Sequence, residues 1–195
     1  LYYSTHGGWW EWAPPCNHFR MPYWPHLREF FACVKRLGYL LSQGVHRCDV
    51  AILYPVAPVE AGLGGGESVQ AAFHLGEFLY GQGIDFDYMD FESLARAKVE
   101  DKELRVSGEA YRVLILPAMR AVRFSTIEKA SAFARGGGLV VALGALPEAS
   151  DRAGRADPVL DALVKEIFGF TAEDHKQGKR APGPEEKAGG TEGAG

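Results

Sequence analysis

No run of about 18 apolar residues occurs in this chain, so the sequence offers no membrane-spanning helix. Cysteine is scarce: Cys16, Cys33 and Cys48, an odd number without a CxxC pair, exclude a disulfide framework and a zinc ribbon. Basic residues are not in excess. The 21 Lys and Arg stand against 25 Asp and Glu, a formal charge of −4, which leaves no field for a nucleic-acid backbone. His6, His18, His26, His46, His74 and His175 lack metal-ligand spacing, and neither metal nor cofactor is expected. With 47% hydrophobic residues in 195, a globular core is expected, in one domain or one domain plus a piece of another. The chain begins at Leu1 with no charged n-region or apolar h-region behind it, and reads as a fragment of a longer protein.

What is present falls into zones. Residues 1–25 hold all four tryptophans, with prolines at 14, 15, 22 and 25 that forbid a continuous helix. Residues 26–43 read as a helix, with Pro25 at its start, Gly44 at its end and Leu27, Phe30, Phe31, Val34, Leu37 and Leu41 at helical spacing. Cys33 inside it reads as a small core residue. Then apolar runs alternate with helical patterns. Asp49–Tyr54, Ile84–Met89, Val113–Leu116 and Leu139–Leu143 read as strands. Glu67–Gln82, with Val69, Phe73, Phe78 and Leu79 apolar, reads as a helix, as do Ser125–Arg135 and Asp157–Phe168. Ser125 and Glu128 fit a capping box; Asp157 and Pro158 fit a cap and first helical position. Ser107-Gly108 marks a hairpin between 103–106 and 110–112. Continuous apolar strands alternating with helices predict an α/β fold, a flavodoxin-like doubly wound parallel sheet covered on both faces. Residues 172–195 lack apolar periodicity and read as a disordered tail.

The chemistry-bearing candidates are few. In His6-Gly7-Gly8-Trp9-Trp10-Glu11-Trp12, indole faces suit the C–H faces of sugar rings, and Glu11 and His6 suit hydroxyls. Two readings stand: the loop lines a sugar pocket, or its tryptophans pack against a neighbouring domain. Glycoside cleavage commonly needs two carboxyl groups, and this zone offers Glu11 alone. Gly62-Leu63-Gly64-Gly65-Gly66 precedes a helix but has no Lys-Ser/Thr and ends at Glu67, so a flexible surface loop fits it better than a phosphate cradle. No cysteine follows Cys48, so a nucleophile elbow at the later strand ends is disfavoured.

Phe19–Gly44 (FRMPYWPHLREFFACVKRLGYLLSQG) followed by Asp49–Pro55 (DVAILYP) resembles the junction in large bacterial glycoside hydrolases of the α-L-rhamnosidase type, family 106. There the end of a (β/α)8 barrel runs into a flavodoxin-like domain, which is similar to β-galactosidase trimerisation and glutamine-amidotransferase-like modules. Tyr111–Pro117, Ala134–Gly144 and Leu146-Pro147 fit that domain's strand, helix, glycine turn and strand. The resemblance covers about residues 1–170. It implies that 1–44 close the barrel, with Leu1–Thr5 its last strand, His6–Tyr23 a loop facing the active site and 26–43 its last helix. It implies that 45–171 form the accessory domain and 172–195 the tail. Because the family's catalytic carboxylates lie on earlier strands, it assigns no catalytic residue here. His6, Trp9, Trp10, Glu11 and Trp12 are expected as wall of a sugar pocket.

The expected partners are therefore an upstream barrel of the same parent chain and a carbohydrate, with no nucleic acid and no membrane, and a homo-oligomer left open. The isolated chain is expected to be inactive. The alternative is a non-enzymatic packing or oligomerisation module. A flavin or nucleotide carrier rests on fold analogy alone.

Overall fold

The computed structural model describes residues 21–44 and 46–179. Its contacts divide the chain into two units, Leu1–His46 and Arg47–Gly195.

In the first unit a 3-10 turn at Trp24–His26 carries Pro25 and leads into α1 (Leu27–Leu41). Pro25 thus opens the turn, where its missing N–H costs nothing. The helix ends as Ser42 Oγ donates to the Tyr39 carbonyl at 2.8 Å and Gly44 turns left-handed at φ +86°. No residue of α1 is buried, and its apolar stripe is open, Phe30 at 60% and Leu41 at 81% exposure. Cys33 is exposed as well, which corrects its expected place in a core: among the described residues nothing buries the helix around it.

In the second unit four parallel strands form one sheet: β1 (Val50–Leu53), β2 (Phe86–Met89), β6 (Val113–Pro117) and β8 (Leu139–Leu143), in the order β2-β1-β6-β8. A hairpin sheet of β3 (Lys98–Glu100), β4 (Glu103–Val106) and β5 (Glu109–Tyr111) precedes β6. A small sheet joins β7 (Ala121–Val122), β9 (Ala149–Ser150) and β10 (Gly154–Arg155). The helices are α2 (Val56–Glu60), α3 (Gly65–Gly81), α4 (Phe91–Arg96), α5 (Phe124–Arg135), α6 (Pro158–Phe168) and α7 (Ala172–Lys176).

Successive strand residues point to opposite faces, and both faces are apolar, so two cores form. Ala51, Leu53, Leu114 and Leu116 join Ile127, Phe133, Leu160 and Val164 of α5 and α6. Val50, Ile52 and Ile115 join Ala72 and Leu79 of α3. Burying each such Leu, Ile or Phe contributes about 1.5–3 kcal/mol.

Helix α3 buries Leu79 and half-buries Val69 of its four apolar residues, but turns the two phenylalanines outward. Its buried residues are Ser68, Ala72, Gly76 and Leu79, while Phe73 and Phe78 are exposed. The reason is closeness. A Cβ on Gly65 would lie 2.8 Å from Val59 Cα, and one on Gly76 would lie 2.4 Å from Tyr88 Oη. Of the glycine run read as a loop, Gly65 and Gly66 already belong to the helix, and Gly62, Leu63 and Gly64 form the turn before it.

Helix α5 starts at Phe124, one residue before the expected Ser125, and Ser125 makes no cap. Asp151 Oδ1 accepts from the Phe124 N–H at 2.7 Å, so a distant carboxylate replaces the capping box. Three glycines end this helix. Gly137 is left-handed at φ +89°, and a Cβ on Gly138 would lie 1.9 Å from the ring of fully buried Phe133. Helix α6 starts as expected, with Asp157 accepting from the Val159 N–H at 3.0 Å. The segment expected as tail begins instead with α7. It is held by a Thr171–Asp174 capping box, by stacking of His175 on Phe170 and by Lys176 donating to Glu148. The rest of that expectation, 180–195, lies outside the described residues.

Two outcomes are expected. Gly138→Ala overpacks against a ring that cannot move and lowers stability by about 1–3 kcal/mol in chemical denaturation. Acid loosens α7. Lys179 first, then the Thr171 N–H and O–H, hold the Asp174 carboxyl down at about 2. A depressed carboxylate stabilises above its unfolded value near 3.9, and that contribution fades as pH falls toward about 2. Amide protection in 172–177, measured relative to the intrinsic exchange rate at each pH, should therefore fall between pH 4 and 2, and Asp174→Asn should remove that dependence.

Candidate functional site

The residues expected as pocket wall, His6, Trp9, Trp10, Glu11 and Trp12, lie outside the described residues. Within the described residues the natural place to look is the carboxyl side of the sheet. Doubly wound sheets bind ligands where neighbouring strands send their connections in opposite directions. Here that place lies between β1, which leads toward β2, and β6, which leads toward β8.

The chain itself fills the place. After β1, α2 turns in immediately and buries Pro58. After β6, Ala118, Met119, Ala121 and Val122 are all nearly fully buried. Ser68 Oγ donates to the Ala118 carbonyl at 2.6 Å, tying the first turn of α3 to this segment. Ala118 is itself left-handed at φ +46°, a conformation that the surrounding contacts must hold against its Cβ. Of the glycine run, Gly65 packs against Val59 of α2, while Gly62 and Gly66 face open space.

Beside the filled crevice a cavity of about 330 Å³ opens between α2 and the small sheet, lined by Glu60, Leu63, Val122, Arg123 and Asp151 among others. Arg123 organises it. Its guanidinium donates to Glu60 Oε2 at 2.8 Å and lies 3.6 Å from Asp151 Oδ2. It also sits 5.0 Å from the centre of the Phe91 ring, a cation–π contact. Both carboxylates are thus committed to one cation, and Asp151 also caps α5. An acid–base pair for glycoside cleavage instead flanks the scissile bond. The arrangement braces α2, α4 and α5 against one another. Sequence reasoning missed it, because a partnership of residues 60, 123 and 151 has no local signature.

At the amino ends of the strands, Tyr111 Oη donates to Asp87 Oδ2 at 2.9 Å. Burial, and then the Asp87 carboxylate, push the Tyr111 phenol well above its ordinary range. Cys48 is buried, and its thiol donates to the Val50 carbonyl at 3.1 Å. Burial raises its proton affinity above that of a free thiol, the reverse of what a nucleophile requires.

Fold and site together define a two-sided α/β domain with a packed switch point and a buried, protonated thiol among its described residues. The chain belongs to the α-L-rhamnosidase family, glycoside hydrolase family 106, whose model matches residues 17–185. Among curated proteins no sequence matches. A crystal structure of a beta-galactosidase from Bifidobacterium adolescentis is similar at 16% identity and a TM-score of 0.49, over 65% of this chain and 55% of that one. The chain thus spans about half the length of that protein. No helix among the described residues is long and apolar enough to cross a membrane.

The thiols provide a check. In a Cys16→Ser background, Ellman's reagent should titrate Cys33 within seconds and Cys48 only on unfolding. Fast reaction of both in the native protein would contradict the buried thiol.

Proposed function

We propose that this chain is part of a larger glycoside hydrolase that acts on α-L-rhamnosides. In this reading 1–44 close its catalytic barrel, and the α/β unit from 45 onward is a non-catalytic accessory domain of the flavodoxin-like kind. The observation that carries the reading is α1. Its stripe of Leu27, Phe30, Phe31, Val34, Leu37 and Leu41 has helical spacing, yet no residue of the helix is buried. A stripe of that kind suits a surface such as the strands of a barrel.

Family membership supports the carbohydrate substrate. The commitment of Glu60 and Asp151 to Arg123 supports a non-catalytic role for the α/β unit. His6, Trp9, Trp10, Glu11 and Trp12 then serve as pocket wall, indoles against the sugar's C–H faces and Glu11 and His6 on its hydroxyls. The catalytic carboxylates come from the rest of the barrel. A packing or oligomerisation role for the α/β unit is compatible with this reading, and the filled switch point favours it over a flavin or nucleotide carrier.

The test is hydrolysis of an aryl α-L-rhamnoside. This chain alone should release no phenol above the buffer rate. In the complete hydrolase, Trp9→Ala or Trp10→Ala should raise KM roughly 3–10-fold, the worth of one aromatic contact. Enzyme-like turnover by the isolated chain would overturn the proposal.

A further inference from the structure

The two edges of the parallel sheet are not alike. At one edge β2 carries Asp87 in the strand and Asp85 just before it. At the other, β8 is Leu-Val-Val-Ala-Leu, and no charged residue occurs from Gly136 to Pro147. Composition gives β8 the character of a central strand, as apolar as β6. Yet β6 is buried from Leu114 to Pro117, while β8 is only partly covered and Leu139 is 56% exposed. Among the described residues no strand pairs with its outer side. Natural edges are commonly blunted by charge, proline or a bulge, and this one has none of the three.

The ladder shows which groups face outward. The Leu139 N–H donates to the Arg112 carbonyl, and the Leu143 carbonyl accepts from the Ala118 N–H. Leu139, Val141 and Leu143 therefore use their backbone groups inward, and by alternation Val140 and Ala142 turn theirs outward.

We propose that this edge is a self-association surface, on which a second copy of the chain adds its own β8 antiparallel about a two-fold axis through Val141. In that register Val140 of one copy lies opposite Ala142 of the other, and the outward groups of each satisfy those of its counterpart. Gly138 falls opposite Gly144, so neither end of the paired segment meets a side chain. Charge separates this pairing from the alternatives. Two β2 edges would bring like carboxylates together, and β2 against β8 would set carboxylates beside an uncharged edge. That last contact is also heterologous and leaves a free edge at each end, which leads to open filaments rather than a closed pair. The uncharged edge matches itself and closes. The joined sheet has eight strands, and on the face that α3 covers elsewhere Val141 meets its copy while Leu143 lies opposite Leu139 of the other chain. The proposal stands on the strand edge and is independent of the sugar reading.

Sedimentation of the full chain, with Leu139→Lys beside it, tests this. The wild type should dimerise. The lysine sits at an exposed position, so the fold survives, and it should weaken dimerisation at least about tenfold. A Val141→Cys variant in a Cys16→Ser, Cys33→Ser background places two thiols across the axis. Opposed Cα atoms there are about 4.5 Å apart, within disulfide reach. Oxidation should give a covalent dimer on a non-reducing gel, whereas Tyr80→Cys on the exposed side of α3 should not. A folded wild type that stays monomeric at 100 μM would overturn the proposal. So would a dimer that ignores Leu139→Lys and fails to cross-link at Val141, which would put the contact elsewhere, for example on α1.

Discussion

The constraint on which the α/β unit depends is that its central strands are apolar on both faces. Val50 and Ile52 point one way, Ala51 and Leu53 the other, and the same division runs through Val113–Leu116 and Leu139–Leu143. Such a sheet cannot leave either face to water, so helices must cover both. On one side α5 and α6 bring Ile127, Phe133, Leu160 and Val164. On the other, α3 turns Ser68, Ala72, Gly76 and Leu79 inward, and Gly76 lets it lie close against Phe86 and Tyr88 of β2. The small side chains of α3 and the large ones of the strands are two halves of one packing solution, close approach on the helix and volume on the sheet.

The same demand governs the carboxyl end. A ligand-binding sheet of this type keeps its switch point open and lines it with loops. Here α2 and the Ala118–Val122 segment turn inward and bury apolar residues there, with Ser68 locking the junction. Charged groups that reach this end are spent on bracing it. Arg123 binds Glu60 and approaches Asp151, while Arg120 and Lys176 converge on Glu148. Burial alone would raise the Glu148 carboxyl, but the bonds from Lys176 and Arg120 prevail and lower it. A carboxylate held ionised by two cations is a poor general acid, since it has no proton to give near neutral pH. The electrostatics of this end thus agree with its packing.

Legibility in the sequence followed the range of the interactions. Strands β1, β6 and β8 and the cap of α6 depend on neighbours a few residues away, and they stand where the apolar runs and Asp157-Pro158 put them. On α3 apolar size does not mark the inner face: Leu79 is buried there, but Phe73 and Phe78 are exposed, since close approach at Gly76 selects against size. The cap of α5 was misread because Asp151, 27 positions from Phe124, supplies it. Helix α7 was hidden in a polar stretch whose order comes from Thr171–Asp174 and the reach of Lys176 to Glu148. The brace at Arg123 was invisible for the same reason. Of the candidate site, the aromatic loop at 6–12 lies outside the described residues.

Exposed apolar surface carries different meanings on the two units. On α3, Phe73 has a tilted ring contact with Tyr88 at 5.8 Å, Tyr88 bonds to the Ala72 carbonyl, and the helix is anchored by its other face. Removing such outer aromatics leaves the reason for the helix intact. On α1 no face is buried among the described residues. A 15-residue helix is at the margin of stability in water, and it carries six large apolar side chains on one stripe with none of them buried. Local propensity does not account for that expense in exposed surface, because Phe and Val are mediocre helix formers. Covering the stripe does account for it. The sequence of α1 is that of a helix that needs a surface to pack against, and the barrel proposed above would provide one outside its strands.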